Sequence, residues 1–95
     1  GLLPDWAPSY YSQGIAYQQL QNPELAKIAN EKYVTLVKPE EIEANKSALA
    51  YAYFSIANFA KDSDLTKAKL NLDKALLYNP ASENALKLKQ ILSKM

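Results

Sequence analysis

Residues 65–92 read LTKAKLNLDKALLYNPASENALKLKQIL, and the reading of this stretch decides the fold. Its apolar skeleton is Leu65, Ala68, Leu72, Ala75 and Leu76, spaced three and four apart, the period that lines one face of an α-helix. Ala68 and Ala75 lie two turns apart on that face, where a neighbouring helix can approach closely, and Leu72 fills the space beside them. Asp64 stands in front as a helix cap. Asn79-Pro80 stops the run and reads as cap and first residue of a last helix over 81–94, which carries Ala85, Leu88, Ile91 and Leu92. The alternation Leu70-Asn71-Leu72 is too short to argue for a strand.

The same devices recur upstream. Asn22-Pro23-Glu24 is a cap, a first helical residue and a first-turn acid. It opens a segment over 23–37 with Leu25, Ala26, Ile28, Ala29, Tyr33, Val34, Leu36 and Val37. Before it, segment 8–21 carries Tyr10, Tyr11, Gly14, Ile15, Tyr17 and Leu20, with Asp5 as its cap. Lys38-Pro39-Glu40-Glu41 opens a segment over 40–61 that is apolar nearly all round, with Leu49, Ala52, Tyr53, Ile56 and Phe59 among its residues. The reading is five helices, no strands and short loops, so chain neighbours are antiparallel.

Ninety-five residues make a single domain, 1–95, with one thin core. There is no cysteine and no histidine, which removes disulfides, thiolate chemistry, the commonest general base and the commonest metal ligand. The net charge is +1, and all eleven basic residues are lysine. A weak field and a lack of planar guanidinium groups argue against nucleic-acid recognition. No apolar run approaches the ~20 residues of a membrane-spanning helix. The start GLLPDW, without Met, reads as part of a longer protein. The cytoplasm and, with a signal segment removed, a bacterial envelope both fit.

Slid against itself by 42 residues, the chain sets Tyr17 over Phe59, Ala26 over Ala68 and Val34 over Leu76. Each half is a helix, a turn, a helix and a proline. This arrangement resembles the tetratricopeptide repeat family, which repeats a helix pair about every 34 residues on a W-x2-L-G-x2-Y, A-x3-F, P pattern. Phe59, Ala68, Leu72, Ala75 and Pro80 carry the pattern in a second repeat over 40–80. Tyr10, Gly14, Tyr17, Ala26 and Pro39 carry it in a degenerate first repeat over 7–39, where Asn30 and Tyr33 stand in the places of Leu72 and Ala75. Helix 81–94 then caps the stack. The resemblance implies an all-α fold of antiparallel hairpins stacked as a short right-handed superhelix. It implies a protein-protein interaction module or scaffold that holds a peptide or helix of another protein in a concave groove. The groove residues it assigns include Tyr11, Ile15, Gln18, Tyr53, Phe54, Ala57 and Lys61.

No residue pattern points to catalysis, a metal or a cofactor. Glu40, Glu41 and Glu43 read as first-turn acids favoured by the helix dipole. Asp62 and Asp64 lack the remaining ligands of a calcium loop. Ser9, Ser12 and Ser55 have no histidine to activate them, and Gly14 reads as a close helix contact. Lys61, Lys67, Lys69 and Lys74 are interleaved with acids and read as a solvated face. Tyr53 and Phe54 can be read as core or as groove. The alternatives to a peptide-binding module are self-association as a homodimer and a non-catalytic docking part of a larger protein.

Overall fold

The computed structural model describes residues 7–94, and these are all-α. Five α-helices follow one another: α1 (Ala7–Gln19), α2 (Pro23–Leu36), α3 (Lys46–Ala60), α4 (Leu65–Tyr78) and α5 (Glu83–Ser93). Asp5, the expected cap of the first helix, lies outside the described residues. Each helix packs mainly on its neighbours in the chain. The molecule accordingly extends 47 Å along one axis and 28 and 20 Å along the others.

The side chains that meet give the directions. Between α1 and α2, Tyr11 meets Tyr33, with ring centroids 5.0 Å apart, and Gly14 faces Asn30, so the two helices are antiparallel. Between α2 and α3, the Lys27 ammonium lies 5.2 Å from the centre of the Phe59 ring, while Tyr33 shares a core cluster with Leu49 and Ala52. That pair is antiparallel as well. The α1 and α3 helices therefore run the same way. They touch where Tyr11 packs edge-on to Tyr51 and where the Gln18 side chain donates to the Ser55 hydroxyl at 2.9 Å.

Turn chemistry explains most boundaries. The first helix ends at a left-handed residue, Gln21, with φ of 59°. The Asn22 N–H donates to the Tyr17 carbonyl at 2.8 Å and the Gln21 N–H to the Gln18 carbonyl at 3.0 Å, which is the Schellman pattern of bonds. Asn22 then caps α2, its side-chain oxygen accepting from the Leu25 N–H at 3.3 Å. One residue thus closes α1 and opens α2, which keeps the hairpin tight. Asp64 caps α4 in the same manner, accepting from the Lys67 N–H at 3.1 Å.

Two expected boundaries are corrected. The long helix read over 40–61 does not form. Residues Pro39–Glu41 and Glu43–Asn45 make two separate 3-10 turns, and α3 starts only at Lys46. The break lies at Asn45, with φ −116° and ψ 19°; its side-chain amide donates to the Glu41 carbonyl at 2.8 Å. Asparagine competes with the helix by this kind of local bond. The last helix also starts later than read. Asn79 ends α4, its N–H donating to the Ala75 carbonyl. Pro80 and Ala81 turn, and Ser82 caps α5 by accepting from the Ala85 N–H at 3.3 Å.

The core is built largely of alanine. Ala52, Ala57, Ala68, Ala75 and Ala85 are each 0 % exposed, and Leu72, Leu88 and Leu92 fill the space around the last four of them. The predicted Ala68–Leu72–Ala75 face is therefore the buried face of α4. Among the described residues, Tyr33 is the aromatic ring that is buried. Tyr10, Tyr17 and Phe59, which carry the repeat pattern, are only half-buried, and Lys32 and Lys27 lie over the rings of Tyr10 and Phe59. Leu20, Leu25, Ile28 and Ile91 keep the helical period but are exposed.

A left-handed conformation costs a residue with a β-carbon roughly 1–2 kcal/mol that glycine avoids. The substitution Gln21→Gly should therefore raise the free energy of unfolding by about 1 kcal/mol in urea denaturation. Unchanged or lower stability would contradict the conformation assigned to this turn.

Candidate functional site

The face shared by α1 and α3 begins with aromatic rings. Tyr11 packs against Tyr51, centroids 6.3 Å apart, and Tyr51 packs against Phe54 at 6.4 Å. All three are half-buried. Spacings of three and four put Tyr51, Phe54, Ser55 and Asn58 along one side of α3. The Tyr51 hydroxyl donates to the side-chain oxygen of Gln18, and the other end of the same amide holds Ser55. Gln18 is thus locked at both ends, and it joins the rings to a polar cleft.

That cleft has a volume of about 420 Å³ and lies where the end of α1, the start of α2 and the second half of α3 converge. Its hydrogen-bonding side chains are neutral apart from Lys27: Gln18, Gln21, Asn30, Ser55 and Asn58. Phe59 also lines it, beneath the Lys27 ammonium. Lys27 is paired with Glu31 at 3.9 Å.

Asn30 is the unusual member. It is 1 % exposed, and neither its amide nitrogen nor its amide oxygen has a hydrogen-bond partner. Leaving a buried amide unpaired costs about 1–3 kcal/mol. Gly14 makes room for it, since a β-carbon there would lie 2.8 Å from the Asn30 amide oxygen. The close contact read for Gly14 is therefore a contact with a polar side chain.

The seven residues assigned to a groove fall in different places. Tyr11, Gln18 and Phe54 come together on the α1–α3 face through Tyr51. Ile15 is half-buried on α1. Tyr53 lies toward α4, stacked on Tyr78 at 5.8 Å with the Lys74 ammonium 5.4 Å from its ring. Ala57 is fully buried against α4 and α5 and offers no surface. Lys61 ends α3, its ammonium donating to the Asn58 side chain at 3.2 Å. The sequence marks Ser55 only as a hydroxyl without a histidine and Asn30 only as a departure from the repeat pattern, and it gives Asn58 no role. The shared spacing of Ser55 and Asn58 with Tyr51 and Phe54 on α3 was the available signal.

The lysines read as a solvated face are largely engaged. Lys67 bridges to Glu31 across to α2 at 3.0 Å, Lys61 binds Asn58 and Lys74 covers Tyr53. Among the described residues, no group of three potential metal-ligating side chains gathers, and no helix is long and apolar enough to cross a membrane.

Three tyrosines have phenols pushed above their ordinary value. For Tyr11, Tyr33 and Tyr53 the main cause is burial, which disfavours the phenolate. Neighbouring phenols add to it, Tyr51 beside Tyr11 and Tyr78 beside Tyr53. In the unfolded chain these groups titrate near pH 10, so the unfolded state loses protons first as the pH rises. Their contribution to stability is complete below that pH and is lost as the pH climbs through the raised folded values. Denaturation midpoints should thus hold up to roughly pH 9.5 and fall above it, with part of the phenolate absorbance appearing only on unfolding. A single tyrosine titration near pH 10 with no loss of stability would contradict this.

Compared with protein-family profiles, curated proteins and solved structures, the chain matches none.

Proposed function

We propose that this chain is a protein-interaction module that seats a peptide segment of another protein along the face shared by α1 and α3. The observation that carries the proposal is the row of half-buried rings Tyr11, Tyr51 and Phe54, joined through Gln18 to a polar cleft. Rigid aromatic side chains bury large area on binding at small entropic cost. Neutral amides and a hydroxyl beside them can pair with peptide groups. The parallel contact between α1 and α3 supports a stacked-hairpin reading of tetratricopeptide type, in which the first helices of successive pairs share one surface. The resemblance itself rests on Ala68, Leu72, Ala75 and Pro80 in the second half and on Gly14, Tyr17 and Ala26 in the first. A non-catalytic role is part of the same reading.

Self-association is the second reading. It is favoured by Leu70 and Leu77, one heptad apart on α4 and 58 % and 71 % exposed. These lie on a different helix from the aromatic row, so the two readings concern separate surfaces.

The test is selection of binders from a random peptide display library, with counter-selection on the variant Tyr51→Ala. The expected result is a family of related peptides whose affinity falls about tenfold or more on Tyr51→Ala while helical circular dichroism is kept. Peptides that bind the variant equally well would overturn the aromatic face as the site.

A further inference from the structure

The floor of the cleft carries a more specific message. In α4 the matching stretch is Ala68, Leu72 and Ala75, all apolar and buried; in α2 it is Ala26, Asn30 and Tyr33. Where α4 packs leucine, α2 buries an amide that the chain leaves unpaired on both its donor and its acceptor. Such a group destabilises the fold unless something pairs with it. The Gly14 backbone lies against this amide, and Asn30 is one of the residues that line the 420 Å³ cleft.

We infer that Asn30 is the reading group of a subsite for a primary carboxamide, the side chain of a glutamine or asparagine on the bound peptide. The chemistry selects this ligand in three steps. An amide with a free N–H and a free C=O is matched by another amide that presents both groups on one edge, and a primary carboxamide does so. Both Asn30 amide atoms are closed to a water-sized group in the free chain, so pairing requires the side chain to turn toward the cleft that it lines; a trans peptide group presents its N–H and C=O on opposite edges and cannot pair with both. The surrounding groups are the neutral Gln21, Ser55 and Asn58. A carboxylate only accepts, so it would leave the Asn30 amide oxygen unpaired. Gln18 cannot serve as an internal ligand while Ser55 and Tyr51 hold its two ends.

This inference rests on the peptide-binding reading and deepens it. The test uses three probes against the isotopically labelled whole chain: the N-acetyl, N-methylamide derivatives of glutamine, glutamate and methionine. The caps carry no primary amide, so only the glutamine probe has one. A probe of this size has an expected dissociation constant on the order of millimolar. The glutamine probe should shift the side-chain NH₂ resonances of Asn30 and the backbone signals of Ser55 and Asn58, in a saturable way, and the other two should not. The variant Asn30→Leu, which restores the residue type of α4, should fold with an equal or higher melting temperature and lose the glutamine response. The inference is overturned if the glutamine probe leaves Asn30 unmoved, if methionine shifts it equally, or if Asn30→Leu still responds. Shifts at Tyr11, Tyr51 and Phe54 with Asn30 unmoved would overturn the subsite and leave the aromatic face standing. Silence at every position with all three probes, together with no binder from the peptide library, would remove both.

Discussion

Alanine sets how closely these helices pack, and the rest of the architecture depends on it. Ala52, Ala57, Ala68, Ala75 and Ala85 are fully buried at the seams between helices. A seam of methyl groups lets backbones approach, and close packing leaves no slack for larger rings. Apart from Tyr33, the aromatic side chains of the described helices are therefore displaced to the edges of the seams. Tyr53 finds Tyr78, Phe59 finds the Lys27 ammonium, and Tyr11, Tyr51 and Phe54 gather along α1 and α3. The half-exposed row that we propose as a binding face is in this sense a consequence of a small-residue core.

The first hairpin follows a different rule from the second. Its close contact is made by Gly14 against the Asn30 amide, and its largest buried ring is Tyr33, where α4 has leucine and alanine. A hydrophobic hairpin gains stability from Leu72, whereas this one holds an amide without a partner. That exchange of apolar packing for polar chemistry lies beside the cleft between α1, α2 and α3. The two halves thus pack differently: α3, α4 and α5 form the alanine–leucine core, while the polar cleft draws on α1, α2 and the second half of α3.

Much of the fold was legible because its stops and starts are written in side chains. Asn22 and Asp64 cap helices from the positions where they were read, and the α4 skeleton buries the face that its spacing marked. Residues 39–45 were not legible, because the helical period continues through a segment that Asn45 unwinds by a local hydrogen bond. At the other end, Asn79-Pro80 and Ser82-Glu83 are both plausible starts, and only the path of the chain chooses between them. The site was harder. Periodicity says that α3 is apolar on several sides but not which neighbour each side meets, so Tyr53, Phe54 and Ala57 looked equivalent. Packing sends Tyr53 toward α4, buries Ala57 and leaves Phe54 beside Tyr51. Asn30 was visible only as a departure from a pattern, since its unpaired amide is a property of three dimensions.

The central claim is that the Tyr11–Tyr51–Phe54 row is open to a foreign peptide rather than covered by a second copy of the chain. Molar mass by light scattering across a concentration series tests it most directly. The account predicts that the aromatic row contributes nothing to self-association, so the mass at each concentration is the same for the native chain and for Tyr51→Ala. A mass that rises with concentration in the native chain and stays monomeric in Tyr51→Ala would contradict it.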